Sequence, residues 1–236
     1  MEPQFVMFSS QHGYAVLGNA LFGVLLIFAG MMLKKTTYEW IPRWFLIVSL
    51  WFIWVYLRIW RIQHGMFTVQ ENLPIHLCGF SSLLVPLMLM NRSHKLYQVM
   101  YYWGMGGATQ SLATPTVERG FPHFLYFEFF FTHAMIIAGV LYATFVWKYR
   151  PNFNGLIRSW VIAAALLVPI GLINMLLHSN YFFIAHKPET ASLLDFLGPW
   201  PWYLVSLSFV AFGIFLVFWL PFPIYRWLKT RLTAKS

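Results

Sequence analysis

Long apolar stretches separated by short polar ones cover almost the whole chain. The ~30 Å hydrocarbon layer of a membrane needs roughly 20 mostly apolar residues per helical span, and the chain contains seven such stretches. Each is predicted to be a helix, because a lipid-exposed backbone must satisfy its own polar groups and the stretches lack the alternating polarity of barrel strands. The predicted spans are Gly13 to Leu33, Pro42 to Trp60, Leu73 to Met90, Leu96 to Pro115, Phe124 to Trp147, Leu156 to Leu177, and Trp202 to Phe222.

The pattern predicts an all-α fold, a polytopic membrane helix bundle of about seven transmembrane helices. Composition agrees, since 59% of the residues are apolar and only 10% are charged. No internal repeat or low-complexity linker divides the chain, so residues 1–236 are predicted to form one integral membrane domain. The first stretch lacks a preceding basic region and is followed by Lys34 and Lys35, which favours a retained span over a cleaved signal peptide. We expect a multi-pass protein of the cell membrane.

The basic residues predict the orientation. With the N-terminus outside and the C-terminus cytoplasmic, twelve of the 16 Lys and Arg residues lie on the inner side. An even number of spans would place the basic residues after the first span and those near the C-terminus on opposite sides of the membrane, which would weaken this bias. The formal charge of +9 lies in short clusters between apolar stretches, which favours contacts with anionic lipid head groups and argues against nucleic-acid binding. The inner residues are Lys34, Lys35, Arg43, Arg92, Lys95, Lys148, Arg150, Arg158, Arg226, Lys229, Arg231 and Lys235, and the outer ones are Arg58, Arg61, Arg119 and Lys187.

Seven of the eight histidines fall in the predicted outer half, which leaves only His94 inside. His133 lies within a predicted span, where ionisable groups are costly and usually functional. Cys78 is the only cysteine, so no intrachain disulfide can form. At 1.5 Å per residue, Cys78 lies about 7 Å below the outer start of the third span and His133 roughly 13–15 Å below that of the fifth. Their depths allow contact if the helices tilt or pack together.

A thiol and an imidazole at similar depth suit covalent acyl transfer. The histidine takes the thiol proton, the thiolate attacks an ester carbonyl, and a thioester passes the acyl group to a hydroxyl or to water. The alternative for Cys78 is an inert apolar side chain in a core, and for His133 a hydrogen-bonding core histidine.

Other polar side chains lie in the same half of the predicted bundle. They either support a site or hold helices together through hydrogen bonds. Glu128 is about 140° around its helix from His133, so Tyr126 is predicted to share the face of His133 and Glu128 is not. The candidate supporting residues are His76, Gln110, His123, Glu128, Asn174, Asn180, Tyr181 and Lys187.

Two further segments carry local predictions. The small residues Gly104, Gly106 and Gly107 predict close helix packing in the fourth span. The stretch from Leu193 to Tyr203 contains too many helix breakers for a span. Its Trp200, Trp202 and Tyr203 are typical of an interfacial aromatic belt.

Four segments resemble, in order and spacing, the YwaF family of bacterial integral membrane proteins. The similarity runs from about residue 73 to residue 222, with the motifs LPxHLC, FPHF, NYxFxxxKP and LLDxLGPWPWY. The segments are LPIHLCGFSSLLVP (73–86), YYWGMGGATQSLATP (101–115), FPHFLYFEFFFTHAMI (121–136) and NYFFIAHKPETASLLDFLGPWPWY (180–203).

The resemblance implies a membrane lipid acyltransferase or transacylase that acts on outer-leaflet phospholipid or lysophospholipid without a cofactor. The YwaF family is related to an animal transmembrane acyltransferase of lyso ether-phospholipids with a cysteine and histidine pair. That pair falls here at Cys78 in HLC and His133 in FFTH. The more distant androgen-induced fatty-ester hydrolases use threonine and histidine and deliver the acyl group to water. Lys187, in the NYxFxxxKP motif, is then a candidate for holding a lipid phosphate.

Two other functions remain open at this stage. A metal-dependent lipid hydrolase could use His76, His123, His133 and His178 as zinc ligands, although the chain has no HExxH motif. A non-catalytic lipid-binding protein or transporter is the third possibility, although broken helices in repeated halves are not evident. The sequence leaves the oligomeric state undetermined.

Overall fold

The computed structural model describes residues 4–117, 119–187 and 193–233. Pro188 of the NYxFxxxKP motif and the basic residue Lys235 lie outside these ranges. The described residues are helical and contain no strand, apart from an isolated bridge between Gln4 and Arg119. The helices are α1 (Ser10–Leu33), α2 (Trp40–Gln63), α3 (Leu77–Asn91), α4 (His94–Trp103), α5 (Thr109–Ala113), α6 (Phe124–Phe145), α7 (Phe153–Leu177), α8 (Trp202–Trp219) and α9 (Pro221–Thr233).

The predicted membrane helix bundle is confirmed. Five helical stretches are long and apolar enough to span a membrane, namely α1, α2, α6, α7 and α8 with its continuation α9. The third predicted span corresponds to α3, which is apolar but only 15 residues long. The fourth corresponds to α4 and α5, which a π-helical segment at Gly104–Ala108 joins.

Contacts between loops show that successive helices run in opposite directions. At one end, Lys34 donates to the Val146 carbonyl, and Arg92 pairs with Glu39 at 3.0 Å. At the other end, the Tyr181 hydroxyl donates to the Val69 carbonyl at 2.6 Å. The described residues of the loops between α2 and α3, between α5 and α6, and between α7 and α8 therefore share one end, which we call the predicted outer end. Which side of the membrane this end faces stays a prediction.

The third helix begins four residues later than predicted. Residues 73–76 are not helical, and His76 has extended backbone angles as the N-cap residue of α3. The turn folds tightly over the helix, since a Cβ on Gly79 would lie 2.7 Å from the Pro74 carbonyl oxygen. A residue before proline is driven out of the helical region, which keeps Leu73 out of the helix. The turn carries His76 to the same end of α3 as Cys78.

The glycines of the fourth span lie in the π-helical segment and pack against three different helices. A Cβ on Gly104 would lie 3.2 Å from Ile136 of α6, and one on Gly106 would lie 2.9 Å from Phe215 of α8. A Cβ on Gly107 would lie 3.5 Å from the Cys78 sulfur of α3. The predicted role in close packing is confirmed, and the segment brings three helices together beside the only cysteine.

The prediction of an interfacial aromatic belt at residues 200–203 is only partly correct. Trp200 and Trp202 are 62% and 67% exposed, as an interfacial belt requires. Tyr203 is fully buried and donates its hydroxyl to the Phe183 carbonyl, so it belongs to the packed interior. The sequence pattern also missed α9, an exposed basic helix that follows α8 directly.

We expect Gly139→Ala to destabilise the bundle. Gly139 is on α6, and an added Cβ would lie 2.5 Å from Cγ1 of Val85, a fully buried residue of α3. Overpacking of this kind costs about 1–3 kcal/mol, so thermal unfolding in detergent micelles should occur at a clearly lower temperature. Gly213→Ala on α8 is the matched control, because nothing lies within 4 Å of its added Cβ. Equal midpoints for the two variants would contradict the α3–α6 packing.

Candidate functional site

A cavity of about 600 Å³ lies within the bundle at the predicted outer end. Helices α2, α3, α5, α6, α7 and α8 contribute to its wall, together with the π-helical segment. Glu71, Thr116, Phe182 and Leu194, from the segments that connect the α-helices, line it near that end, whereas Phe215 lies four residues before the end of α8. This central cavity therefore reaches from the predicted outer loops deep into the membrane-embedded part of the bundle.

The wall of the central cavity has a polar part and an apolar part. The apolar part is a slot between α7 and α8, and from Leu204 to Phe215 it is roughly 16 Å long at 1.5 Å per residue. Its residues recur at helical spacing, so each helix contributes one face. The slot consists of Trp160, Ala163, Ala164 and Leu167 on α7 and Leu204, Leu207, Ala211, Ile214 and Phe215 on α8. The polar residues are Arg58, Arg61, Glu71, Asn72, His76, Cys78, Ser82, Gln110, Ser111, Thr116, Glu128, Thr132, His133 and Ser208.

Cys78 lies in the first turn of α3, is half-buried and lines the cavity. Its sulfur lies 3.7 Å from the Ser111 hydroxyl oxygen on α5, its one hydrogen-bond partner among the described residues. The absence of a side chain at Gly107 keeps the space beside the sulfur open. The thiol is therefore accessible from the cavity and is held by a neutral partner.

His133 lies five residues, or about 1.4 turns, along α6 from Glu128 and also lines the cavity. Its Nδ1 lies 2.7 Å from the Phe129 carbonyl oxygen in its own helix, and only a protonated Nδ1 can donate to that acceptor. The neutral ring then carries its lone pair on Nε2. Among the described residues, no hydrogen bond joins Cys78 to His133. The structure thus places the two side chains on one cavity without a hydrogen bond between them.

His76 lines the cavity beside Cys78. Its ring packs on Tyr181, with 4.9 Å between the ring centroids. Tyr181 accepts a hydrogen bond from the Leu73 amide at 2.9 Å, which ties down the turn that carries His76. Desolvation by the surrounding protein, and then the positive charge of Arg61, lowers the pKa of His76. The lowered pKa favours the neutral imidazole of His76, which can accept and donate a hydrogen bond.

The helical-wheel prediction for α6 was wrong. Glu128 lines the cavity together with His133 and accepts a hydrogen bond from the Thr132 hydroxyl at 3.1 Å. Tyr126 instead faces α1 and donates to the Gln11 carbonyl at 2.7 Å. The cavity covers a broad arc of α6, so residues about 140° apart lie at its two edges.

The remaining candidates divide by position. Gln110 lines the cavity, although its amide donates to Thr114 at 3.0 Å. Four other candidates do not line the cavity. His123 caps α6, and the Asn174 side chain donates a hydrogen bond to the Tyr181 carbonyl. The Asn180 side chain accepts one from the His186 amide, and Lys187 donates to the Asp195 carbonyl at 3.4 Å. Tyr181 does not line the cavity either, but its ring packs against the ring of His76, which does. These residues shape the loops around the cavity.

The sequence interpretation missed the roles of Arg58, Arg61 and Ser111, all of which line the cavity. Both arginines were counted only as outer basic residues. The sequence did contain evidence for a functional role of both arginines, because Arg58 lies inside a predicted span and Arg61 is about one turn further along the same helix face. Nothing in the sequence pairs Ser111 with Cys78.

Zinc ligation finds no support in the described residues. They contain no group of three or more His, Cys, Asp or Glu side chains placed to hold a metal ion. His123 contacts Trp60 and caps α6, whereas His76 and His133 line the cavity. The four histidines of the metal hypothesis are therefore not arranged as one ligand set.

Comparison with known proteins gives one result that covers most of the chain. Residues 7–219 match the family model described as the TMEM164 family. Neither the curated proteins nor the solved structures give a match. The resemblance to the YwaF family and to its acyltransferase and hydrolase relatives stays a prediction.

Proposed function

The chain belongs to the TMEM164 family of membrane proteins, and we propose that it is a lipid acyltransferase that works through Cys78 and His133. The observation that carries this proposal is that one cavity contains both side chains and continues into an apolar slot. A phospholipid has the same division, with polar head group and ester on one side and an acyl chain on the other. The slot between α7 and α8 suits an acyl chain, because its wall is apolar apart from Ser208 and contains small residues such as Ala163 and Ala211.

The first half of the reaction acylates the protein. Nε2 of His133 accepts the proton of the Cys78 thiol, and the thiolate attacks the carbonyl carbon of the donor ester. The ester C–O bond breaks, His133 passes the thiol proton to the leaving oxygen, and a thioester remains on Cys78. Because the thiol contacts Ser111 in this structure, the Cys78 side chain must turn away from Ser111 towards His133 during this step.

The second half returns the protein to its starting state. A hydroxyl of a lysophospholipid gives its proton to Nε2 of His133, and its oxygen attacks the thioester carbonyl. The C–S bond breaks, and the thiolate recovers the proton from His133. Water in place of the lipid hydroxyl gives a free fatty acid, so a hydrolase would use the same side chains with another acceptor.

A vesicle assay tests this function. The purified protein is added to vesicles that contain a phospholipid with a deuterated acyl chain and an unlabelled lysophospholipid. Mass spectrometry should find the deuterated chain on the former lysophospholipid, in proportion to time and protein. Release of deuterated free fatty acid alone would replace the transferase by a hydrolase. No movement of the chain under conditions in which the protein is folded would contradict the proposed function and favour a binding or transport role.

A further inference from the structure

Two arginines on one face of α2 line the polar part of the cavity. Arg58 and Arg61 are three residues apart, which places both on one face of the helix near its predicted outer end. Charged side chains in a membrane-embedded bundle are costly unless a partner or a polar cavity compensates them. The interaction partners of the two arginines therefore indicate which kind of ligand the cavity binds.

Arg58 is held in place by contacts with an uncharged residue. One guanidinium nitrogen donates to the Trp54 carbonyl at 2.7 Å, and the guanidinium carbon lies 3.9 Å from the centre of the Trp54 ring. A guanidinium carries several N–H donors in a planar fork. The Trp54 contacts fix that plane and use only one donor, so the others remain available to a group in the cavity.

Arg61 is fixed in a similar way by a neutral group. It donates to the Asn72 side-chain carbonyl, and Asn72 itself is buried in the turn before α3. Glu128 interacts electrostatically with both arginines, but no carboxylate among the described residues lies within 4 Å of either guanidinium. The two positive charges thus line the cavity without a close counter-ion among the residues that the structure describes.

We propose that Arg58 and Arg61 bind the phosphate of a phospholipid. Paired arginine forks match phosphate oxygens in geometry and form strong charge-assisted hydrogen bonds with them. In a phospholipid the phosphate and the acyl esters are attached to one short glycerol unit. The arginines, Cys78 and the apolar slot between α7 and α8 all line this one cavity. One lipid can therefore place its phosphate, ester and acyl chain against these three features together.

This assignment replaces Lys187 as the phosphate ligand suggested by the sequence. Lys187 does not line the cavity, and its ammonium lies 5.6 Å from the centre of the Tyr203 ring. The identity of the bound lipid as a substrate rests on the proposed function, but phosphate binding itself does not. Binding is therefore measured in the Cys78→Ala protein, where no acyl transfer can remove the ligand.

The experiment compares three probes in detergent micelles. They are a fluorescent lysophospholipid, the matching monoacylglycerol without phosphate, and glycerol phosphate without an acyl chain. Arg58→Gln and Arg61→Gln should each weaken lysophospholipid binding about tenfold or more and leave monoacylglycerol binding within about twofold. Arg43→Gln, at the other end of α2 and outside the cavity, should leave both unchanged. Arg58→Lys and Arg61→Lys keep the charge, lose the planar fork and should give intermediate losses.

Several results would overturn the assignment. Unchanged lysophospholipid binding in the two glutamine variants would do so, as would equal losses for both lipids, which indicate damaged packing. If glycerol phosphate binds as tightly as the lysophospholipid, the site takes a soluble phosphate compound instead of a lipid. If the glutamine variants fail to fold, full-strength binding by the lysine variants would contradict the fork geometry. Phosphate-dependent binding without acyl transfer would support this site and contradict only the proposed function.

Discussion

Cys78→Ala should reduce acyl transfer from phospholipid to lysophospholipid by about 10³-fold or more, because it removes the nucleophile that carries the acyl group. The vesicle assay with a deuterated chain measures this loss. Cys78 is half-buried, and the one hydrogen-bond partner of its sulfur among the described residues is Ser111, so the smaller side chain should leave the fold intact. Cys78→Ser should lose nearly as much, since a serine hydroxyl is far less readily deprotonated than a thiol.

Ser81→Ala is the matched control for the nucleophile. Ser81 lies three residues further along α3, is 1% exposed and donates to the Leu77 carbonyl without lining the cavity. Removal of the Ser81 hydroxyl should change the rate of acyl transfer by no more than about threefold, and only through a change in the stability of the fold. Full activity in the Cys78→Ala protein would exclude the thioester mechanism. Equal losses in both variants would show that any change in this part of α3 disables the protein.

His133→Gln should reduce acyl transfer by about 10²–10⁴-fold, because glutamine cannot accept the thiol proton and return it to the leaving oxygen. The substitution is mild for the fold, since the hydrogen bond of His133 is made to its own helix at Phe129. Initial rates in the vesicle assay measure the effect, and lysophospholipid binding should stay within about threefold. A loss of rate without a loss of binding assigns the residue to the chemical step.

His123→Asn is the matched control for the base. His123 belongs to the same end of α6, where its Nδ1 accepts a hydrogen bond from the Leu125 amide, and asparagine is a good residue for that capping position. We expect rates within about twofold of those of the unmodified protein. If His133→Gln keeps more than a tenth of the rate, His133 is a packing residue and another group must activate the thiol.

The sequence predicted the helices well because the membrane leaves few alternatives. A lipid-exposed backbone must be helical, so apolar length alone located α1, α2, α6, α7 and α8. Local chemistry was harder to predict. The start of α3 depends on how residues 73–76 fold over the helix, and the π-helical segment depends on packing of Gly104–Ala108 against three other helices.

The sequence predicted how deep the candidate site residues lie in the membrane, but not how each helix is rotated about its own axis. Hydropathy placed Cys78 and His133 at similar levels, and both line the cavity. It could not tell that Glu128 faces the cavity while Tyr126 faces α1, because the orientation of α6 is fixed by its neighbours. Asn174 is polar and near the predicted outer end, yet it is occupied in holding the backbone of Tyr181. The positive-inside rule counts charges and does not distinguish an arginine in a cavity from one at a surface, which is why the role of Arg58 was missed.

The most direct test of the account is the mass of the protein during turnover. After brief mixing with phospholipid that carries a deuterated acyl chain, denaturing mass spectrometry should show a fraction of the protein heavier by one acyl group. Peptide mapping should place that group on Cys78, the only cysteine of the chain, and neutral hydroxylamine should remove it, as expected for a thioester. Acyl transfer that proceeds without any adduct, or with an adduct on another residue, would contradict the account.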